Sequence, residues 1–146
     1  MQTKYRMPAD VRRTAIELVR GYKRRLELYR ELRYNIIHGG PMPKDRPFSG
    51  ASVLGDPTAS KALKLEALEA FVEVRRMRAV EQAKLRIGLD ILDEGIRQAL
   101  IEAIWDSCIE GRNFTFEYRA LPLGKTNFYD RRNKFLSEIA HDTDFL

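Results

Sequence analysis

The sequence contains few of the residues that redox, metal and membrane chemistry require. Its 146 residues include one cysteine, Cys108, and two histidines, so no internal disulfide can form and no metal-ligand or nucleophile-base spacing is recognisable. No run of about 18 apolar residues is present to span a bilayer, and the N-terminus lacks the apolar stretch of a signal peptide. We therefore expect a non-enzymatic protein of a reducing cytoplasm, without cofactor, metal or membrane contact.

Charged residues, in contrast, are abundant and unevenly distributed. There are 26 basic and 21 acidic side chains, which give a formal net charge of +5 and favour an anionic partner. Residues 1–40 contain ten basic and four acidic side chains, and residues 111–137 contain six and two. Residues 61–110, with eight basic and ten acidic, are slightly acidic. Positive charge thus collects toward both ends of the chain.

Apolar periodicity predicts an all-α fold that starts with two long helices. The first is expected from Asp10 to Ile37, with a stop at Gly39. The second is expected from Pro57 to about Ile87, with Asp56 as its N-cap. Residues 39–56 are rich in glycine and proline and predict a loop. We expect residues 1–88 to form this helical pair, packed as a hairpin.

The remaining residues, 89–146, predict a second domain with the outline of a helix-turn-helix. A third helix is expected to close at Gly111. A short element around Thr115–Ala120, the turn LPLGK and a longer basic helix then follow. That order of elements is typical of helix-turn-helix DNA-binding domains.

The stretch KTNFYDRRNKFLSEIA predicts that this last helix is amphipathic. At 100° per residue, Phe128, Phe135 and Ile139 share the packed side, with Arg132 and Leu136 beside them. The opposite side and its flanks carry Thr126, Asn127, Tyr129, Asp130, Asn133, Lys134 and Ser137. Polar side chains of this kind suit base edges in a DNA major groove. Arg131, Arg132 and, at the helix start, Lys125 are expected to contact phosphates.

The same pattern also occurs on ordinary solvated helices, which keeps other classes of function open. One is a helical protein-interaction or assembly module, whose basic C-terminal part only keeps it soluble. Another is a packaging factor of the small-terminase type, which would bind DNA as a large ring. Partner binding after truncation at Gly111 and particle mass in light scattering discriminate these classes.

Three stretches resemble the phage-encoded transcription regulators of the ArpU and RinA type. They are VRGYKRRLELYRELRYNIIHGG, GDPTASKAL and IEAIWDSCIEGRNFTFEYRALPLGKTNFYDRRNKFLSEIA, and the most specific part is FYDRRNKF, preceded by a threonine that fits a cap. The resemblance implies a regulator of phage or prophage genes, often late ones, with a C-terminal domain similar to the sigma-factor domain that reads the upstream promoter element. It implies a bacterial host cell and duplex DNA as partner. In the leading hypothesis, the long helices serve dimerisation or contact with RNA polymerase. The recognition-helix positions it implies are Thr126, Asn127, Tyr129, Asp130, Arg131, Arg132, Asn133 and Lys134.

Overall fold

Helices form every regular element in the described part of the chain. The computed structural model describes residues 7–41, 54, 58–111 and 121–143, and these contain six helices and no strand. The helices are α1 Ala9–Arg20, α2 Tyr22–His38, α3 Lys61–Glu69, α4 Val72–Leu85, α5 Glu94–Glu110 and α6 Lys125–Asp142. The predicted all-α class is confirmed. None of the helices described is both long enough and apolar enough to cross a bilayer.

Contacts between residues group the chain into two compact units. The terminal unit contains Met1–Arg20 and Ala79–Leu146, and the middle unit contains Gly21–Arg78. Helices α1, α5 and α6 belong to the terminal unit, α2 and α3 to the middle unit, and α4 contributes residues to both. The division that the sequence predicted between residues 88 and 89 stays a prediction.

The middle unit is built around an apolar core to which α2, α3 and the first half of α4 contribute. Its buried side chains are Leu32, Ile36, Leu54, Leu68, Val74 and Met77. A half-buried ion pair joins α2 to α4, because Nε of Arg25 donates to Oε2 of Glu73 at 2.9 Å. Helix α2 therefore packs against α3 through apolar contacts and is linked to α4 by charge.

The terminal unit packs α1 against both α5 and α6, and α5 also contacts α6. The buried side chains include Leu18 and Val19 of α1, Leu100 and Ile104 of α5, and Phe128 and Phe135 of α6. Nε of Arg20 donates to the carbonyl oxygen of Cys108 at 3.3 Å, in the last turn of α5, where a cation is favourable. Helix α6 consequently has neighbouring helices on two sides.

Each of the two predicted long helices is interrupted. The helix expected from Asp10 to Ile37 divides at Gly21, and glycine weakens a helix interior by about 1 kcal/mol relative to alanine. The helix expected from Pro57 to Ile87 divides at Ala70, whose N–H bonds to the carbonyls of Ala67 and Leu68. Hydrogen bonds to a carbonyl three residues back tighten the end of α3. Neither glycine nor proline marks this second interruption.

The start of α3 also differs from the prediction, whereas the end of α2 agrees with it. Oγ of Ser60 accepts from the N–H of Leu63 at 3.2 Å, so Ser60, and not Asp56, is the N-cap of the described helix. Asp56 itself lies outside the described residues, as does most of the predicted loop 39–56. Gly39 ends α2 in a left-handed conformation, with φ 74° and its N–H bonded to the carbonyl of Asn35.

We expect Gly88→Ala to destabilise the protein more than Gly111→Ala. Both glycines have φ 68°, so a Cβ strains either backbone by about 1–2 kcal/mol. At Gly111 the Cβ would meet no described atom within 4 Å, whereas at Gly88 it would lie 3.2 Å from Cγ of Arg97. Urea unfolding of the two variants measures the difference in free energy of unfolding. Equal losses would contradict the close packing around Gly88.

Candidate functional site

Helix α6 begins at Lys125, directly after Gly124. Gly124 is the N-cap, with φ −77° and ψ 164°, and it provides no side-chain acceptor. Thr126, which the sequence favoured as a cap, is the second residue inside the helix. The first N–H groups of a helix have no partner within the helix. The start of α6 therefore combines such N–H groups with the exposed Lys125.

The packed side of α6 is the predicted one. Phe128, Phe135, Leu136 and Ile139 are all buried, with at most 1% of their surface exposed. The ring centroids of Phe135 and Trp105 of α5 lie 6.4 Å apart. These contacts fix the rotation of α6 about its axis and hence the direction of its remaining side chains.

The packed side is wider than the periodicity predicted, and Asn133 lies within it. The sequence placed Asn133 on the outer side, but it is only 7% exposed. Its Oδ1 has no hydrogen-bond partner among the described residues. The correction follows from the two neighbours of α6, because contact with both α1 and α5 buries a broader arc than the phenylalanine stripe alone.

Arg132 points toward α5. Its Nη1 donates to Oγ of Ser107 at 3.1 Å, and its guanidinium carbon lies 4.8 Å from the ring centroid of Tyr129. Its Nε is buried without a hydrogen-bond partner in the part of the chain that is described. The structure thus places the Arg132 guanidinium in a helix-helix contact, and the expected phosphate contact stays a prediction.

The other residues predicted for the outer side of α6 differ in exposure. Lys125, Asn127 and Lys134 are exposed. Thr126 and Asp130 are half-buried, and both line, together with Asn127 and Lys134, a groove of about 760 Å³ beside the helix. The predicted set is therefore brought to one helix, but only part of it stands clear of the protein.

The groove lies between α6 and residues 83–90, which include the end of α4 and the segment that follows it. Its charged lining residues are Arg86, Arg131 and Lys134 together with Asp90, Asp130 and Glu138. Three cations and three acids leave it without net charge. Burial raises the pKa of Glu138. Within the described ranges, no group of three or more His, Cys, Asp and Glu side chains is placed to hold a metal ion.

Arg131 is bound across this groove by Asp90, a residue that sequence reasoning missed. Nη1 and Nη2 of Arg131 donate to Oδ1 and Oδ2 of Asp90 at 2.8 and 2.7 Å, and Nε donates to Oδ1 of Asn127 at 2.6 Å. Hydrogen bonds from Arg131 lower the pKa of Asp90 to about 2, and the same bonds raise the pKa of Arg131. The two partners are 41 residues apart, and no pattern in the sequence connects them.

Asp90 is positioned by the turn that follows α4. Nη2 and Nε of Arg97 donate to the carbonyl oxygens of Leu85 and Ile87 at 2.8 and 3.0 Å, which satisfies acceptors at the end of the helix. The N–H of Ile91 donates to the carbonyl of Gly88 at 3.0 Å and closes the turn around Asp90. The carboxylate of Asp90 is accordingly presented to α6 by hydrogen-bonded backbone.

We expect the pKa of Asp90 to rise from about 2 toward its ordinary value of 3.8 in Arg131→Ala. Because the folded state lowers this pKa, the ion pair stabilises the fold fully above about pH 4, and the stabilisation is lost as the pH falls toward 2. Carboxyl carbon NMR during acid titration measures the change. Lys134→Ala is the control, since Lys134 is the smallest contributor to the shift. Equal effects of the two variants would contradict the bidentate pair.

Comparisons with protein-family models, with curated proteins and with solved structures found no match to this chain. The resemblance to regulators of the ArpU and RinA type therefore stays an expectation from the sequence.

Proposed function

We propose that the protein is a non-enzymatic regulator of phage or prophage genes that binds duplex DNA through the outer side of α6. The observation that carries the proposal is the charge of the first half of this helix. Its first ten residues contain four basic residues, Lys125, Arg131, Arg132 and Lys134, and one acidic residue, Asp130. The two lysines are the exposed ones. In helix-turn-helix proteins, the N-terminal part of the recognition helix contacts base edges.

Different exposed residues of α6 suit phosphate contacts, which position the protein on DNA, and base contacts, which read the sequence. Lys125 and Lys134 are suited to phosphates, and the amide of Asn127 can both donate to and accept from a base edge. Lys125 also lies at a helix start, where backbone N–H groups and the helix dipole favour an anion. The first part of α6 thus has one exposed lysine before Asn127 in the sequence and one after it, and the Asn127 amide can contact a base edge.

The proposal includes the predicted helix-turn-helix. Its second helix is α6, and its first helix, around Thr115–Ala120, lies outside the described residues. The resemblance extends the proposal to late genes. The proposal also includes RNA polymerase or a second copy as partners of the N-terminal helices. Selection of bound fragments from random and phage DNA identifies the sequence that the protein prefers.

Salt dependence of DNA binding tests the phosphate contacts. We expect Lys125→Ala and Lys134→Ala each to make the slope of log affinity against log salt shallower by about 0.9, because each neutralised phosphate contributes about that amount. Fluorescence anisotropy with a labelled duplex measures the slope. Lys61→Ala is the matched control, because Lys61 is also exposed and is likewise the first residue of a helix, α3. DNA affinity that does not change with salt concentration would contradict the proposal. A loss of affinity in Lys61→Ala as large as in the two α6 variants would also contradict it.

A second candidate, the helical interaction module, is favoured by three exposed leucines. Leu85, Leu89 and Leu92 lie within eight residues and expose 59, 67 and 97% of their surface. Exposed apolar residues that form a patch are typical of protein-protein contacts. If they join copies of this chain, Leu89→Ser with Leu92→Ser lowers the particle mass in light scattering.

The matched control for that experiment is Leu63→Ser, since Leu63 is an exposed leucine on α3. The interaction module requires the double variant, and not the control, to dissociate the assembly. A particle mass that corresponds to one chain in the unchanged protein excludes self-assembly through these leucines. Very large particles in the unchanged protein would instead favour the ring of a packaging factor.

A further inference from the structure

The pair formed by Arg131 and Asp90 occupies the donors with which an arginine binds phosphate. A guanidinium binds a carboxylate or a phosphate with the same two parallel N–H groups. In Arg131 each terminal nitrogen donates one hydrogen bond to Asp90, and Nε donates to Asn127. A phosphate that bound the same two parallel N–H groups would therefore have to take the place of the Asp90 carboxylate.

The surroundings of Asp90 make this exchange unfavourable for a phosphate without further contacts. The Asp90 side chain is 66% exposed, and its backbone turn is held by Arg97 and Gly88. After an exchange, the carboxylate would stay close to the phosphate as a like charge. Juxtaposed like charges at an interface oppose binding and reject wrong partners.

A second arginine of the groove is held in a similar way. Nη1 of Arg86 lies 3.3 Å from Oδ2 of Asp142 and 3.9 Å from Oε2 of Glu138. Both arginines that line the groove are thus paired with carboxylates of this chain, whereas the exposed cations of α6 are lysines. The pairing explains how a basic helix borders a groove without net charge.

We propose that Asp90 competes with DNA phosphate for Arg131 and thereby weakens binding to duplex DNA. The inference rests on the proposed function and names a regulation of the same site. On a preferred sequence, base contacts by the outer side of α6 offset the exchange of Asp90 for phosphate. On other sequences nothing offsets it, and Arg131 stays with Asp90.

The test compares Asp90→Asn with the unchanged protein on a duplex of arbitrary sequence. We expect Asp90→Asn to bind about three- to tenfold more tightly, with a salt slope steeper by about 0.9, because Arg131 gains one phosphate contact. The gain on a preferred duplex should be at least as large, because base contacts there no longer have to offset the loss of the Asp90 pair. Asp90→Glu, which keeps a carboxylate in reach of Arg131, should retain the weaker binding.

Two controls separate the exchange from a general change in charge. Asp106→Asn removes an exposed carboxylate of α5 outside the groove and should leave affinity and slope unchanged. In the Arg131→Ala background, Asp90→Asn should bring no gain, because the effect of Asp90 acts through Arg131. Circular dichroism of each variant checks that the helices are intact.

The outcomes distinguish this inference from the proposed function. Absence of DNA binding by the unchanged protein would overturn the proposed function. DNA binding without a gain in Asp90→Asn, or with a gain that persists in the Arg131→Ala background, would overturn the role of Asp90 alone. A gain on both duplexes that needs Arg131 supports it.

Discussion

Burial of one side of α6 is the constraint on which the candidate site depends. Phe128 and Phe135 are fully buried and lie two turns apart on the helix, and replacement of a buried phenylalanine by alanine typically costs about 3–5 kcal/mol. Two anchors at this spacing leave the helix no rotation about its axis. The outward direction of Lys125, Asn127 and Lys134 follows from this packing. The buried phenylalanines thus determine which side chains of α6 are exposed to solvent.

A second constraint acts on the chain segment opposite α6. The last carbonyl groups of a helix need partners from outside the helix, and Arg97 of α5 supplies two hydrogen bonds at the end of α4. The left-handed Gly88 then turns the chain, and Asp90 meets Arg131. Arg97, by closing this helix end, also determines where the carboxylate of Asp90 lies in the candidate site.

The sequence predicted correctly those features that depend on residues within a single helix. The apolar stripe of α6 and the glycines that end α2 and α5 are local patterns, and the structure has them as predicted. The interruption at Ala70 was not predictable, because alanine favours helix and only local hydrogen bonding ends α3 there. Burial of Asn133 depends on how many helices surround α6. The contact between Asp90 and Arg131 depends on tertiary structure across 41 residues.

The distribution of lysine and arginine gives the two kinds of cation different tasks under the proposed function. Lysines carry a strongly hydrated point charge, so Lys125 and Lys134 suit attraction of a phosphate backbone before close contact. Arginines carry a planar fork that binds carboxylate and phosphate alike, so Arg86 and Arg131 can exchange one for the other only at short range. Attraction would then depend on the lysines, close contact by the arginines on the exchange of a carboxylate for phosphate, and the choice among sequences on base contacts by α6. A net positive charge alone would not provide that choice, because it attracts every sequence equally.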